Sequence, residues 1–304
     1  MRILEHGQKQ MRTLLFFPCT AEPVWALEAT ITLLSQRWHV FQVVFDGHQP
    51  EYPGDFTSVE QTVDEVTEYL KRHGILRLDA AYGCSLGGAC LTRFLALGEV
   101  PIGQAIIDGG ITPYQFPYPL RRLRLAVDVL SFRIVAGSRR VLEAAFPPER
   151  FTLPGHDPVE EYDAMECYLK TYSTRTIRNV FWSGNNYALP ETPAKRGTEV
   201  VYWYGEDEEK DRLGNIRFLR RYFPQMQFRA FPKMAHAELV IVHPEEFCRS
   251  AEALIHPAEN DTARAVFRVS LRNGTGYRSA PKICGDMSHD AFGSRCAEAR
   301  DSRK

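Results

Sequence analysis

The sequence has little of three things that would assign its class directly: long apolar runs, paired cysteines and an excess of charge of one sign. No run approaches the roughly twenty apolar residues of a membrane-spanning helix, and the polar first twelve residues do not resemble a secretory signal. We therefore expect a cytoplasmic protein with no membrane span. Lysine and arginine number 37 against 38 aspartate and glutamate, a net charge of −1. A protein with this balance of charge has no overall electrostatic attraction to nucleic acid, so no nucleic-acid partner is expected.

Seven cysteines are scattered along the 304 residues, and none forms a C-x-x-C pair. Their odd number and spacing indicate neither a disulfide framework nor a zinc-ligand pattern. We expect most of them to be reduced and buried as small hydrophobic side chains, and we expect no metal and no other cofactor. With 44% hydrophobic residues, the chain can bury one substantial core and a modest inserted subdomain.

The most informative stretch that is present is residues 80–88, which reads Ala-Ala-Tyr-Gly-Cys-Ser-Leu-Gly-Gly. Small residues end a strand, Ser85 lies in a Gly-x-Ser-x-Gly pattern, and a helix-forming segment follows at residues 86–97. In such an elbow the serine occupies a strained strand-to-helix turn, and glycines flank it because side chains there would collide with backbone. The pattern predicts a nucleophilic serine, with a merely structural tight turn as the alternative.

Short apolar segments alternate with helix-forming segments through most of the chain. A helix that begins after Ser58, which forms a plausible capping box with Gln61, is one example. The expected strands are residues 14–17, 40–45, 79–82, 105–107, 200–204 and 227–231. Alternation of this kind predicts an α/β fold with a doubly wound, mostly parallel sheet.

Three of these features together resemble the α/β-hydrolase superfamily. They are the elbow at Ser85, the acidic turn at residues 205–209 after a predicted strand, and the histidine loop at residues 232–236 after the next one. The resemblance covers about residues 14–255. It implies an α/β-hydrolase fold, in which an inserted helical cap is expected where the strand signal disappears.

The expected organisation follows from this resemblance. Residues 1–110 and 197–256 would form the N-terminal and C-terminal parts of the hydrolase core, and residues 111–196 the helical cap. Residues 257–304 are polar and poor in aliphatic clusters, so they are expected to be a disordered tail.

The resemblance also implies a catalytic triad in the chain order serine, acid, histidine. A serine hydroxyl is a weak nucleophile and needs a base, which in turn needs a third group to orient it. Ser85 is the expected nucleophile and His236 the expected base. For the acid, Glu208 ranks first by its register in the acidic turn and Asp207 second by its residue type. Asp108, after an earlier strand, is the third candidate.

An oxyanion hole would use two backbone N–H groups. One should be that of Leu86, directly after the nucleophile, and the other should come from the loop Pro18-Cys19-Thr20. Relatives commonly have His-Gly in this loop, so the chain departs from the pattern. Proline has no N–H, and Cys19 or Thr20 is therefore the expected donor.

Two further features have less specific interpretations. Cys84 occupies the x position of the elbow, where its side chain should point away from the site and serve in packing. Residues 120–150 carry an excess of arginine that could attract an anionic substrate group, although a solvated helix face is the more common role. These arginines are Arg121, Arg122, Arg124, Arg133, Arg139, Arg140 and Arg150.

The function expected from the sequence is that of a serine hydrolase of the carboxylesterase or thioesterase kind. Ser85 would form an acyl-enzyme with an ester, thioester or amide of a small molecule, which is the only partner expected. Two alternatives stay open: an acyltransferase that uses the same triad, and a non-catalytic binding protein that keeps the fold. No pattern in the sequence specifies an oligomeric state.

Overall fold

A computed structural model describes residues 1–52, 54–195 and 197–255 of the chain. The predicted tail at residues 257–304 lies outside the described residues. None of the described helices is long and apolar enough to cross a lipid bilayer.

The centre of the molecule is a seven-stranded sheet. Its strands are β1 (Arg2–His6), β2 (Arg12–Phe17), β3 (Trp38–Val44), β4 (Leu78–Cys84), β5 (Ile102–Asp108), β6 (Glu199–Gly205) and β7 (Gln227–Phe231). Their order across the sheet is β1-β3-β2-β4-β5-β6-β7. Only β1 pairs antiparallel with its neighbour, and the other strands pair in parallel. The predicted α/β fold with a mostly parallel sheet is confirmed, and the carboxyl ends of β2, β4, β5, β6 and β7 all lie along one edge.

Eleven helices accompany the sheet in the described part of the chain. They are α1 (Glu28–Ser35), α2 (Val59–Arg72), α3 (Leu86–Leu97), α4 (Tyr118–Gly137), α5 (Arg139–Ala145), α6 (Pro148–Phe151), α7 (Pro158–Lys170), α8 (Thr174–Gly184), α9 (Glu209–Tyr222), α10 (Glu238–Val242) and α11 (Pro244–Ile255). Apolar side chains of α2, α3 and α9 form one buried cluster with the sheet, whereas those of α1, α10 and α11 form a second. The sheet is therefore covered on both faces, as its continuous apolar strands require.

The start of α2 shows how local sequence sets an element boundary. The Ser58 hydroxyl accepts a hydrogen bond from the Gln61 N–H at 3.1 Å, so one half of the predicted capping box is present. The Gln61 side chain donates to Glu65 Oε1 at 2.7 Å and does not form the other half. Four apolar side chains, Val59, Val63, Val66 and Leu70, recur on one face of the helix and are fully buried. This face packs the helix onto the sheet.

Strand β1 was not predicted from the sequence. Its segment is polar, and none of its five residues is fully buried. It lies at the edge of the sheet, where its backbone pairs with β3. The pattern of its side chains gives no sign of this pairing. An edge strand with a solvated face lacks the apolar run by which buried strands are found.

The segment between β5 and β6 contains α4 to α8 and, among its described residues, no strand. These helices have a small apolar cluster of their own, formed by Ala136, Leu142, Tyr162, Tyr168, Leu169, Tyr172 and Ile177. Helix α8 attaches to the start of α2, where the Ser183 hydroxyl accepts a hydrogen bond from the Val59 N–H at 2.8 Å. A second attachment joins Arg150 of α6 to Glu238 of α10, with nitrogen to oxygen distances of 2.6 to 2.9 Å.

Candidate active site

Ser85 lies in the turn between β4 and α3 with φ 52° and ψ −110°, a backbone conformation that residues other than glycine rarely adopt. The glycines around it are required by close backbone approach. A Cβ on Gly83 would lie 2.4 Å from the Gly87 carbonyl oxygen, and a Cβ on Gly87 would lie 2.4 Å from that of Phe17. The residues of the Gly-x-Ser-x-Gly pattern thus fold as the strained strand-to-helix turn that the sequence predicted.

His236 and Glu208 meet at the same edge of the sheet. His236 follows β7 and Glu208 follows β6, and the two strands are paired neighbours. His236 Nδ1 lies 2.7 Å from Glu208 Oε2, while Glu208 Oε1 accepts the N–H of Gly205 at 3.1 Å. The Glu208 side chain is 6% exposed and that of His236 is 30% exposed. This pair fixes the ring so that Nε2 faces the centre of the site.

Burial alone would raise the pKa of Glu208, but the hydrogen bond and charge of His236, followed by the charge of Arg212, lower it to about 2. For His236, burial and the charge of Arg212 act to lower the pKa. The hydrogen bonds to Cys19 and Glu208 and the charge of Glu208 outweigh them and raise it to about 9. In the resting protein the two groups therefore form an ion pair at neutral pH.

A pH dependence of any His236-driven reaction follows from this pKa. The imidazole must be neutral to accept a proton, and a pKa raised to about 9 leaves most of it protonated at neutral pH. We expect kcat/KM to rise roughly tenfold per pH unit between about pH 6 and 8 and to level off above about pH 9. A pH-rate profile with its acidic limb near 6.5, the ordinary value for histidine, would contradict this expectation.

Arg212 of α9 is a site residue that the sequence analysis did not single out. Its Nε donates to Glu208 Oε2 at 2.6 Å, and its Nη2 lies 3.3 Å from His236 Nδ1. Because the carboxylate is the stronger and nearer acceptor, the ring Nδ1–H donates to Glu208. Arg212 stands four residues after Glu208, one helical turn away, and this spacing was the only signal for it in the sequence.

The other two acid candidates lie elsewhere. Asp207 is half exposed at 47% and forms an ion pair with Arg150, Oδ2 to Nη2 2.7 Å. Asp108 is buried and accepts a hydrogen bond from the Tyr82 hydroxyl at 2.7 Å. Burial raises the pKa of Asp108 to about 6, partly offset by that hydrogen bond. Of the three acids, the structure brings only Glu208 into contact with His236.

Gly109 is a second residue that sequence analysis missed, although the run Asp108-Gly109-Gly110 was visible at the end of a strand. It has φ 52°, and a Cβ there would lie 2.6 Å from His236 Cε1 and Nδ1 and 3.1 Å from Glu208 Oε1. Only glycine leaves room for the imidazole and the carboxylate at their observed separation. Gly109 thus determines the space in which the pair forms.

Substitution of Gly109 by alanine is expected to lower kcat/KM by roughly 100-fold, because the new methyl group displaces the His236 ring. It should also lower the free energy of unfolding by about 1–3 kcal/mol through backbone strain and the collision. Gly74→Ala is the matched control, since Gly74 has φ 71° and nothing within 4 Å of its added Cβ. The control should lose about 1 kcal/mol and keep its activity. Equal kinetic losses in both variants would show that strain alone, and not the collision, is responsible.

The thiol of Cys19 occupies the place next to His236 Nε2, at a distance of 4.0 Å. No hydrogen bond joins Ser85 to His236 in the described part of the chain, and Cys19 interacts with Ser85 as well as with Cys84. The hydrogen bond from Cys84 and then that of His236 outweigh burial and hold the pKa of Cys19 well below its usual range. A thiol between the serine and the histidine was not expected from sequence.

Cys84 does not face away from the site as predicted. It is fully buried, but its Sγ lies within 4.8 Å of the Cys19 Sγ and of a ring nitrogen of His236. Its strand β4 is the direct neighbour of β2, whose last residue precedes the loop that carries Cys19. The two cysteines therefore form the floor of the site together.

The loop Pro18-Cys19-Thr20 lies against the start of α3, because a Cβ on Gly87 would also touch the Pro18 carbonyl oxygen at 2.5 Å. Leu86 is the first residue of α3, so its N–H has no partner within the helix and is free to point at an oxyanion. The Cys19 N–H, in contrast, donates to Glu22 Oε2 at 2.6 Å. Among the predicted donors of this loop, Thr20 is the one whose N–H is not committed in this way.

Glu22 was not recognised from sequence. It is 5% exposed, and burial followed by the negative Cys19 raises the pKa of its carboxyl well above the ordinary range. Its second oxygen, like Nε2 of the buried His48, has no hydrogen-bond partner among the described residues. Both residues line a small cavity beside Cys19. Burial lowers the pKa of His48 to about 4.

Most arginines of the inserted helices are engaged within the protein. Arg139 pairs with Glu143 and Asp163, and Arg124 pairs with Asp128. Arg150 binds Glu238 and the Lys233 carbonyl oxygen, so it holds the histidine loop. These contacts favour structural roles over the capture of an anionic substrate.

Comparison with solved structures reveals clear similarity in fold at low sequence identity. An α/β-hydrolase family protein from Desulfitobacterium hafniense is 15% identical and covers 84% of this chain and 100% of its own, with a TM-score of 0.64. MenH from S. aureus is 15% identical and covers 83% and 97%, with a TM-score of 0.61. A carboxylesterase from Nitrososphaera gargenis is 15% identical and covers 86% and 95%, with a TM-score of 0.59.

No protein-family model and no curated protein sequence matches the chain. The sheet order and these structural likenesses show that it has the α/β-hydrolase fold.

Proposed function

We propose that the protein is a serine hydrolase that cleaves an ester, thioester or amide of a small molecule. The observation that carries the proposal is the Glu208 to His236 pair at 2.7 Å beside the strained Ser85 turn. An ion pair of this kind orients an imidazole as a base, and the turn presents a hydroxyl at the edge of the sheet. The carboxylesterase among the structures of similar fold supports an ester as the first substrate class to test.

In the proposed reaction, Ser85 Oγ attacks the carbonyl carbon while its proton passes to His236 Nε2. The tetrahedral intermediate collapses, the C–O, C–S or C–N bond breaks, and the leaving group takes the proton from the imidazolium. Water then attacks the acyl-enzyme, with His236 again as base, and the acid product leaves. Glu208 holds the ring in its tautomer and stabilises the imidazolium throughout.

Substrate binding must bring Nε2 within hydrogen-bond reach of Ser85 Oγ, since in the resting protein it faces Cys19 at 4.0 Å. Catalytic hydrogen bonds are often long without substrate and tighten in the complex. The Leu86 N–H and a donor from the Pro18-Cys19-Thr20 loop would stabilise the oxyanion. The inserted helices α4 to α8 would serve as the cap, joined to the histidine loop through Arg150.

The deciding experiment is labelling with a fluorophosphonate probe, which reacts with activated serines. We expect wild type to be labelled, and Ser85→Ala and His236→Ala to be unlabelled while their circular dichroism spectra match wild type. Labelled wild type would then be screened against short esters and thioesters. The labelling is repeated in mild detergent, which would loosen the packing of α4 to α8 over the site. A folded wild type that stays unlabelled under both conditions would refute the proposal.

A second candidate, a non-catalytic binding protein, is favoured by two observations. The Cys19 N–H donates a hydrogen bond to Glu22 and is therefore not available to an oxyanion. Ser85 has no hydrogen bond to His236 within the described residues. In that case Ser85→Ala would leave ligand binding intact, and no ester would be turned over. An acyltransferase would differ from a hydrolase only in product: addition of an alcohol or amine would give an ester or amide in place of the free acid.

A further inference from the structure

Three soft ligand groups converge beside the nucleophile. Cys19 Sγ, Cys84 Sγ and a ring nitrogen of His236 all lie within 4.8 Å of one another. The ring atom that faces the sulfur of Cys19 is Nε2, at 4.0 Å, because Nδ1 is bound to Glu208. No comparable group of metal-ligating side chains occurs elsewhere in the described parts of the chain.

The composition of this cluster selects for a particular kind of ion. Two sulfurs and an imidazole suit Zn²⁺ and other thiophilic cations, whereas Mg²⁺ and Ca²⁺ prefer oxygen ligands. Zinc binds sulfur at about 2.3 Å and imidazole at about 2.0–2.1 Å, which places the ligand atoms of a tetrahedral site roughly 3.5–3.8 Å apart. The ligand atoms of the protein lie within 4.8 Å of one another, and Cys19 Sγ is 4.0 Å from His236 Nε2, so a bound ion would have to draw them together by up to about 1 Å.

The surroundings of His236 match what a zinc-bound histidine requires. Its Nδ1–H donates to the Glu208 carboxylate at 2.7 Å, which fixes the tautomer with Nε2 free to bind a cation. Cys84 ends the central strand β4, and Cys19 follows β2 directly beside it. One ligand therefore comes from the end of a strand and two from loops that directly follow strands, and the neighbouring Ser85 or a water could complete the coordination.

We propose that Cys19, Cys84 and His236 form a binding site for a thiophilic divalent cation, and that the bound ion switches off the site. A cation on His236 Nε2 removes the lone pair that must accept the Ser85 proton. The binding part of this proposal stands alone, while its inhibitory part rests on the proposed function. The ion acts here as an inhibitor and has no role in the hydrolytic steps.

The test is a titration of the full, reduced chain with Cd²⁺, followed by displacement with Zn²⁺. Cadmium bound to thiolate gives an ultraviolet charge-transfer band, which reports binding without any enzymatic assay. We expect one tight equivalent that involves this site. Cys19→Ser and Cys84→Ser should each weaken that equivalent by roughly 100-fold or more, because each removes one of the two thiolates.

Two control variants make the titration specific. Cys248→Ser removes another free cysteine, on α11, and should leave the tight equivalent unchanged. Ser85→Ala should also bind the ion normally, because a water can replace the serine oxygen. Cys19 lies in a loop, so Cys19→Ser remains informative even where Cys84→Ser, in the core, fails to fold.

The outcomes separate the two proposals. Tight binding at this site by an ion-free protein that the fluorophosphonate probe does not label would leave the metal site standing and refute the hydrolase. Hydrolysis that is unaffected by one bound equivalent of Zn²⁺ would overturn the inhibitory part of the proposal, and a Cd²⁺ band unchanged in Cys19→Ser would overturn the metal site itself. Inhibition that disappears in Cys19→Ser and is reversed by a chelator would support both.

Discussion

Replacement of Ser85 by alanine should lower kcat/KM for a small activated ester by roughly 10⁴-fold or more. The strained turn, in which Ser85 has φ 52°, holds the hydroxyl beyond the end of β4. A water molecule in its place would be neither oriented nor activated as a nucleophile to the same degree. The fold itself should be kept, because alanine retains the Cβ and removes a single oxygen. The measurement is steady-state hydrolysis of a p-nitrophenyl ester at about pH 9, where the base is neutral.

Ser131→Ala is the matched control, because it makes the same chemical change at an exposed position on α4. It should keep wild-type activity. Hydrolysis by Ser85→Ala at more than a tenth of the wild-type rate would contradict the serine mechanism. If that residual hydrolysis disappeared in Ser85→Ala/Cys19→Ser, the Cys19 thiol, which faces His236 at 4.0 Å, would be the attacking group.

The framework of this site could be predicted from sequence because its signals are local. The Gly-x-Ser-x-Gly turn is defined by backbone contacts between Gly83 and Gly87, only four residues apart. The strand ends before Glu208 and His236 were visible as apolar runs followed by polar loops. Neighbouring parallel strands then bring their carboxyl ends together, so the meeting of the acid and the base followed from topology.

The contacts that modify the site could not be predicted in this way, because they join distant segments. Cys19 meets His236 across 217 positions of sequence. The Glu22 carboxylate accepts a hydrogen bond from the Cys19 N–H. This bond depends on the conformation of the loop, which the residue types alone do not determine. The expectation that Cys84 points away failed for a related reason: a neighbouring loop, and not its own strand, determines what its sulfur meets.

Substitution of Glu208 by glutamine should lower kcat/KM by roughly 10³-fold, the second largest effect expected. The amide keeps the size of the carboxylate but loses the charge that stabilises the imidazolium. It also leaves the guanidinium of Arg212, only 16% exposed, without its carboxylate partner. The substitution should therefore also lower the free energy of unfolding, because it removes one half of a buried ion pair.

Asp207→Asn is the matched control, because Asp207 is adjacent in sequence, carries the same charge and lies at the surface with Arg150. We expect it to change kcat/KM by less than about threefold, as is usual for a half-exposed ion pair. Equal losses in the two variants would show that the total negative charge of the acidic turn matters and that no single acid orients His236.

The pH profile separates a positioning role of Glu208 from general destabilisation. Glu208 raises the pKa of His236 through its hydrogen bond and its charge, whereas Arg212 lowers it. Removal of the carboxylate while the guanidinium stays must therefore shift the acidic limb of kcat/KM to lower pH. A variant that is only less stable would lose active protein at every pH and keep the wild-type midpoint. A lower plateau combined with an acid-shifted midpoint is the result that identifies Glu208 as the residue that orients and charges the base.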